Sequence, residues 1–305
     1  MQEGIGRLVS CREDHLAGRV FLVREGRRHW LASVEHVHQY GFVWPDDVQT
    51  ISELELKKNK LAAPMPLRWS SEHWLRPPRT EVGTMREIAT SRLSGCGVEF
   101  GAGTTPVAVP AECSVLYADA FSQSQLNDRA YATQGDDFVD LTFVTGMEQM
   151  DGIAAESLDF IIAAHVIEHL RNPLLGFRHA YERLKPGGSL VLFVPEMRLT
   201  FDKKRQPTPL EHLIADYEYP SDARDVLHHV EFYSKSFVTP IDDIYERVCH
   251  SVVTGGDIHF HVWTYDSFRE VVDYVCRALD PWTSVWSQPV VSDPEANEFY
   301  FVLTK

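Results

Sequence analysis

The sequence predicts an α/β chain: a mostly parallel sheet with helices on both faces, preceded by a small N-terminal α+β module. Three observations carry this expectation. From Cys96 onward, short β-branched and aromatic runs alternate with loops and helical spacing. Those runs are nearly continuously apolar, as strands buried on both faces must be. Before residue 61 the pattern is instead a period-two alternation, which suits a separate, half-buried sheet.

Residues 1–60 form the expected module. GRVFLVREGRRHWLA alternates around the turn signal Glu25-Gly26 and predicts a β-hairpin, and SVEHVHQYGF predicts a short helix. Trp30 and Tyr40 read as the core of that module. Residues 61–84 carry Pro64, Pro66, Pro77 and Pro78 beside Trp69 and Trp74, too proline-rich for a helix and too aromatic for a free tether, so an ordered linker is expected. In TEVGTMREIATSRLSG, Met85, Ile88, Ala89 and Leu93 recur at helical spacing before a terminal glycine, predicting a helix against the sheet. The strands follow as CGVEF, SVLYA, FVDLTFV, LDFIIAA and SLVLFVP. Between the last two, PLLGFRHAYERLKPGG places Leu174, Phe177, Ala180, Tyr181 and Leu184 on one helical face and stops at Pro186-Gly187-Gly188. Residues 196–262 interrupt the rhythm with polar, His-rich sequence, the expected place of a substrate region. YDSFREVVDYVCRAL resumes as an amphipathic helix and NEFYFVLTK closes as a strand, so that residues 85–305 form one domain.

Composition narrows the function. Lys+Arg number 29 against Asp+Glu 44, a net charge of −15, which argues against a nucleic-acid or anionic-membrane surface. No run approaches the roughly 18–20 apolar residues of a membrane span. MQEGIGRLVSCRED lacks the basic-then-apolar plan of a signal peptide, and a cytoplasmic location is the expectation. Cys11, Cys96, Cys113, Cys249 and Cys276 are odd in number, scattered and without a CxxC pair, which suits reduced thiols. Arg198, Lys203, Lys204 and Arg205 are the one basic cluster, either a solvated loop or a grip on an acidic substrate group.

The first strand of the domain runs into Glu99-Phe100-Gly101-Ala102-Gly103-Thr104-Thr105-Pro106, where glycine permits positive φ and close approach of a ligand. Pro106 stands where the dinucleotide fingerprint wants its third glycine, so a dehydrogenase is not expected. Asp119 ends the second strand, at the spacing from Gly101 of a carboxylate that accepts hydrogen bonds from an unphosphorylated ribose diol. His165, Glu168 and His169 would share one face of a helix, where two imidazoles and a carboxylate could hold a divalent cation; equally, they could order the loop and pack its helix. His212, His228, His229, His250, His259 and His261 crowd the later region. In HFHVW, His259 and His261 alternate with Phe260 and Val262 as on a strand, so the two imidazoles either face a substrate cleft or bond to backbone in a buried corner. Gly255-Gly256 reads as a turn.

In order along the chain, VEFGAG, the acidic end of strand two, TGMEQM, SLDFIIAAHVIEHL and LKPGGSLVLFVPEMR resemble class I S-adenosylmethionine-dependent methyltransferases over residues 85–305. FDKKRQPTPLEHLIADY and DIHFHVWTYDSF resemble a bacterial subgroup associated with glycan or surface-polysaccharide modification, and the N-terminal segment resembles short bacterial modules appended to diverse enzymes. The resemblance implies a Rossmann-like seven-stranded, mostly parallel sheet with an antiparallel last strand, and S-adenosylmethionine as cofactor. It implies that Glu99 anchors the amino-acid end of the cofactor, that Gly101, Ala102 and Gly103 line its back, and that Asp119 takes the ribose hydroxyls. Met147 and Glu148 would flank adenine, with Ala164 and His165 closing the pocket. The prolines at 106 and 110 depart from the family pattern and imply a short or displaced helix after the glycines.

HVIEHL is also similar to the ExxEH element of metal-dependent O-methyltransferases, with His165 in place of the first glutamate, which implies Mg or Zn at His165, Glu168 and His169. The implied activity is methylation of a sugar, glycan or small-molecule hydroxyl, with His165 as the leading base and His261 the second. Two rival readings stand beside it: a cofactor-binding scaffold without catalysis, and a metal-dependent RNA ribose methyltransferase, against which the net charge of −15 speaks.

Overall fold

The structure, a computed structural model, describes residues 7–11, 20–24, 27–31, 46–61, 74–75, 84–127, 138–236, 241–290 and 297–305. The expected helix at 33–42, the Glu25-Gly26 turn, Tyr40, Trp69 and the linker prolines lie outside these residues. The chain divides into two compact units, one of Met1–Ser70, Pro209–Pro220 and Arg269–Pro281, the other of Ser71–Thr208, Ser221–Phe268 and Trp282–Lys305.

The smaller unit holds a five-stranded sheet of β1 (Arg7–Cys11), β2 (Val20–Arg24), β3 (Arg27–Leu31), β4 (Val48–Ile51) and β5 (Lys60–Leu61), in the order β4-β1-β2-β3-β5. β2 and β3 pair antiparallel from Arg24↔Arg27 to Val20↔Leu31, which is the hairpin the alternation predicted. Val20, Phe21, Leu22 and Val23 are all buried, however. β2 is the central strand, and a central strand buried on both faces does not alternate. Helix α1 (Glu53–Lys57) starts at Ser52, whose side chain accepts the Glu55 N–H.

The larger unit is built on an eight-stranded sheet of β6 (Trp74–Leu75), β7 (Cys96–Phe100), β8 (Ser114–Asp119), β9 (Phe143–Val144), β10 (Leu158–Ala164), β11 (Leu184–Pro195), β12 (Ser284–Gln288) and β13 (Glu298–Thr304). Its order is β6-β12-β13-β11-β10-β7-β8-β9. Strands β7 to β11 are mutually parallel, and β13 runs antiparallel to both β11 and β12. The seven expected strands are thus present in a Rossmann-like order with an antiparallel last strand. The eighth is a two-residue edge: the segment read as a linker pairs Trp74 and Leu75 with Val285 and Trp286. Of the predicted FVDLTFV strand only Phe143–Val144 pairs. Strand order reverses between β7 and β10, the topological switch point at whose carboxyl edge open α/β sheets bind ligands.

Both faces of this sheet are covered. On one, Phe160, Ile162, Val191, Phe193 and Tyr300 form a buried cluster with Ala89 and Leu93. Ala89 belongs to helix α2 (Met85–Thr90), which opens with a reciprocal cap between Thr84 and Glu87. Val107 joins the same cluster from residues 101–113, where the two prolines implied a short or displaced helix and none forms. On the other face Phe268 packs at 5.5 Å from Phe299, 5.3 Å from Phe301 and 6.2 Å from Phe177 of the crossover helix. Helix α3 (Gln123–Asn127) follows β8, and the crossover helix is α4 (Pro173–Arg183), capped by the Asn172 side chain with Pro173 in its first turn.

After β11 the chain forms α5 (Leu210–Glu218), α6 (Asp222–Glu231), α7 (Ile241–Thr254) and α8 (Tyr265–Tyr274). The basic cluster does not present four charges to a substrate. Arg205 is buried, donating to Asp202, Glu231 and the carbonyls of His259 and Phe260, and Arg198 is forked onto Glu196 at 2.7 and 3.0 Å. Lys203 and Lys204 alone of the four are exposed without such anchoring. No helix among the described residues is long and apolar enough to cross a membrane.

Candidate functional site

A cavity of about 420 Å³ opens where β7, β8, β9 and β10 end, within the range of small-molecule sites. Its wall takes Phe100 and Gly101 from the end of β7, Asp119, Ala120 and Phe121 after β8, and Gly146, Met147 and Glu148 after β9. His165, Val166, His169, Leu170 and Arg171 come from the loop after β10, and Gly255, Gly256, Asp257 and Phe260 from the inserted region. Strand ends that are far apart in sequence meet here because the parallel sheet aligns their carboxyl ends.

Five of the sequence-predicted cofactor residues line the cavity: Gly101, Asp119, Met147, Glu148 and His165. Gly101 has φ +66, and a Cβ there would come within 2.8 Å of Val166 Cγ2, so the position needs glycine on both counts. Gly103, also at positive φ, accepts the Val139 N–H on its carbonyl. Asp119 ends its strand with Oδ1 accepting the Phe121 N–H at 2.9 Å, which fixes the carboxylate's direction. Glu148 accepts the Asn172 N–H, and burial pushes its carboxyl above the usual range against that bond.

Glu99, Ala102, Gly103 and Ala164 are not among the residues that line the cavity. Glu99 is buried and accepts the Val107 N–H on both oxygens, at 3.0 and 3.2 Å. Burial raises its carboxyl from 4.5 to about 7, against the pull of that hydrogen bond and of Arg86. Its carboxylate holds Val107, just after the glycine loop, and does not line the cavity.

His165 adopts φ +54, an uncommon conformation outside glycine in which histidine is enriched. Its N–H donates to Phe193 O at 2.9 Å, and the left-handed turn ends β10. The ring meets Glu298 of β13, Nε2 to Oε2 at 2.8 Å. Glu298 also receives both arms of Arg86, at 2.8 and 2.7 Å. Burial alone would raise the Glu298 carboxyl; Arg86 and His165 pull it down from 4.5 to about 2, so it is ionised.

The expected shared face of His165, Glu168 and His169 does not form, because only Ile167–His169 makes a single 3₁₀ turn after the His165 kink. The fold instead brings together Glu168, His169 and His259, with one ligand atom of each within 4.8 Å of the others. His165 Nδ1 lies 3.8 Å from Glu168 Oε1, and its Nε2 is committed to Glu298.

His261 is not at the cavity. Its ring is fully buried, stacked on Trp263 at 5.8 Å, with Nε2 at 3.2 Å from Arg171 O, while its N–H donates to Glu168 O. The alternation that suggested two cleft-facing histidines fails because residues 257–262 are not a strand; Phe260 faces the cavity in their place. His228 edges onto Phe260 and His261, and His229 Nδ1 pairs with Ser251 Oγ at 3.0 Å, both in the buried interior of the inserted region. His212 pairs with Asp216 one helical turn away at 3.0 Å, and His250 is exposed on α7.

Sequence reasoning missed Arg86, Arg171, Asp257, Phe260 and Glu298. Arg171, in the segment after HVIEHL, extends to Asp225 at 3.0 Å, and its proximity to that motif was the available signal. Glu298 and Arg86 lie 133 and 79 residues from His165, and no local pattern marks them.

A family model described as a methyltransferase domain matches residues 75–239, more than half of the chain. No curated protein matches the sequence. Among solved structures, the CurJ carbon methyltransferase is 16% identical, covering 72% of this chain and 51% of its own, with a TM-score of 0.39. The chain thus spans about half the length of that protein. CrArsM, an arsenic(III) S-adenosylmethionine methyltransferase from Chlamydomonas reinhardtii, is 19% identical over 68% of this chain and 62% of its own, TM-score 0.34. A Rhodobacter sphaeroides protein described as a zinc-dependent alcohol dehydrogenase is 14% identical over 74% and 91%, TM-score 0.42.

Proposed function

Because the chain belongs to the methyltransferase-domain family, we propose that it transfers a methyl group from S-adenosylmethionine to a hydroxyl of a sugar, glycan or other small polar acceptor. The observation that carries this reading is the convergence of Gly101, Asp119, Met147, Glu148 and His165 on one cavity at the switch point of the sheet. When bound, S-adenosylmethionine supplies an electrophilic methyl group on a sulfonium, open to in-line displacement by an acceptor oxygen.

The chain's own residues then have separate tasks. Gly101, with no Cβ, lets the backbone approach the cofactor, and Asp119 accepts from the ribose hydroxyls at the end of β8. Met147 packs against the adenine side, and Glu148 ties that loop to the start of α4 through the Asn172 N–H. His165 serves as base. Its Nε2–H donates to the ionised Glu298, which fixes the tautomer and leaves the Nδ1 lone pair to accept the acceptor's proton. Gly255, Gly256, Asp257 and Phe260 bring the inserted region to the same cavity, where they select the acceptor. A wall bearing carboxylates, imidazoles and a guanidinium favours a polyhydroxylated acceptor over an apolar one.

Calorimetric titration with S-adenosylhomocysteine tests the cofactor half of this reading. Saturable binding that Asp119→Ala weakens at least tenfold is the expected result. Failure of the folded wild type to bind either S-adenosylhomocysteine or S-adenosylmethionine would overturn it.

A further inference from the structure

We propose that Glu168, His169 and His259 form a site for a divalent transition-metal ion of the zinc or cobalt kind, closed by a histidine of the inserted region. Glu168 is the first reason. Its side chain is 1% exposed, and neither carboxylate oxygen has a hydrogen-bond partner. A carboxylate is taken this far from water only when something compensates it. The imidazole nitrogens nearest to it, His165 Nδ1 at 3.8 Å and His169 Nε2 at 3.9 Å, are both beyond hydrogen-bond reach.

The second reason is the arrangement of the two histidines. His169 Nδ1 sits 2.6 Å from Asp257 Oδ1, and His259 Nδ1 sits 2.6 Å from Asp202 Oδ2. The His259 imidazole is therefore backed by a hydrogen-bonded carboxylate on Nδ1, which leaves its lone pair on Nε2, while Asp257 lies against His169 Nδ1 at ion-pair distance. Carboxylate-backed imidazoles are the usual form of metal-ligating histidine, because the outer carboxylate fixes the tautomer and raises the basicity of the ligand nitrogen. The rings meet edge to face with centroids 4.7 Å apart. Asp202 is itself held by Ser236 at 2.7 Å and Arg205 at 3.2 Å, so the backing of His259 is built into the interior.

Distances fit after a modest contraction. Ligand atoms at about 2.0–2.2 Å from zinc can stand up to about 4.2 Å apart. Tetrahedral ligands sit about 3.4 Å apart, so the 3.9 Å between Glu168 Oε1 and His169 Nε2 closes with a shift of about half an ångström, and the group as a whole lies within 4.8 Å. Two imidazoles and one carboxylate are a donor set that zinc takes while keeping a further position open. Magnesium, which prefers an octahedron of oxygens, suits it poorly. Of the three ligands His169 lines the cavity, which puts the site at its edge. Use of the ion to lower the pKa of an acceptor hydroxyl rests on the O-methylation reading; its binding does not.

The full chain, stripped with chelator and shown by circular dichroism to remain folded, is titrated with Co²⁺, Zn²⁺ and Mg²⁺. The expected result is one equivalent of Co²⁺ with visible d–d absorption, displaced by Zn²⁺ and not by excess Mg²⁺. Glu168→Gln and His259→Ala should each weaken Co²⁺ at least tenfold. Absence of Co²⁺ and Zn²⁺ binding by the folded wild type overturns the proposal. So does tight binding that Glu168→Gln leaves unchanged, a reading that stands even where His259→Ala does not fold. S-adenosylhomocysteine titration of the same samples separates the two readings: cofactor binding without metal binding sinks the metal site alone, and metal binding without cofactor binding sinks the methyltransferase reading alone.

Discussion

His165 and Glu298 are 133 residues apart in sequence and 2.8 Å apart in the fold, joining the loop after β10 to the start of β13. Arg86 completes the chain from α2, and its fork holds Glu298 where it can orient the imidazole. An ionised carboxylate behind a cavity-lining histidine is the arrangement by which proteins choose which ring nitrogen carries the proton.

The Glu298 carboxyl falls from 4.5 to about 2 on folding, which makes it a pH-dependent source of stability. The folded state holds this group's proton less tightly than the unfolded state does. Its contribution is therefore complete above about pH 4.5 and is lost as pH falls towards 2. Denaturant unfolding should show the wild type losing on the order of 2 kcal/mol between pH 6 and pH 3 that Glu298→Gln does not lose. Parallel pH profiles for the two proteins would contradict the ion-pair assignment.

Glu99 has the opposite sign. Its carboxyl rises to about 7, so the folded state prefers the protonated form and ionisation costs stability as pH climbs from 4.5 through 7. Glu99→Gln keeps an acceptor for the Val107 N–H without the buried charge. At pH 8 this variant should exceed the wild type by on the order of 2 kcal/mol, and near pH 4.5 the two should agree. A variant less stable than the wild type at pH 8 would show that the charge itself is needed.

His165 and Asp119 have separable roles. His165→Asn keeps a residue that tolerates positive φ while removing the base, which His165→Ala would not. It should lower kcat by about 10²–10⁴-fold with cofactor affinity within a few-fold of wild type. Asp119→Ala should do the reverse, weakening cofactor binding with little change in kcat at saturation. Equal losses of both parameters in both variants would remove this division of labour.

Arg205 and Lys203 separate the buried from the solvated part of the basic cluster. Arg205→Ala leaves Asp202 and Glu231 facing an empty site and should cost roughly 3–5 kcal/mol in chemical denaturation. Lys203→Ala should stay within about 0.5 kcal/mol of wild type. A substrate-binding role for Arg205 would require the opposite, a loss of activity with stability retained.

Much of this protein was legible locally. The strands at Cys96–Phe100, Ser114–Asp119, Leu158–Ala164 and Leu184–Pro195, the crossover helix and the closing strand followed from runs of apolar residues and their punctuation, and the resemblance supplied the antiparallel direction of that last strand. Asp119 was legible from its place at the end of a strand and Gly101 from its residue type, while Met147, Glu148 and His165 were implied by the family resemblance; all five line the cavity because a parallel sheet places its strand ends at one edge. Glu99, inside its strand rather than beyond its end, bonds to the Val107 N–H and does not line the cavity.

What failed locally failed for one physical reason: it depended on contacts between distant segments. His259 and His261 looked equivalent by alternation, but Arg205 pins the carbonyls of His259 and Phe260, and that irregular backbone turns Phe260 to the cavity, His259 to Asp202 and His261 into the interior. The HxxEH spacing suggested one helical face, yet the positive φ at His165 splits it, giving His165 to Glu298 and leaving Glu168 with His169 and His259. By itself the sequence determined the parallel strands and the crossover helix, because periodicity and punctuation specify these, and its family resemblance pointed to the strand-end residues. Only the tertiary structure decided which histidine meets which carboxylate, because side-chain pairing across 57 to 133 residues is set by packing, which no local pattern records.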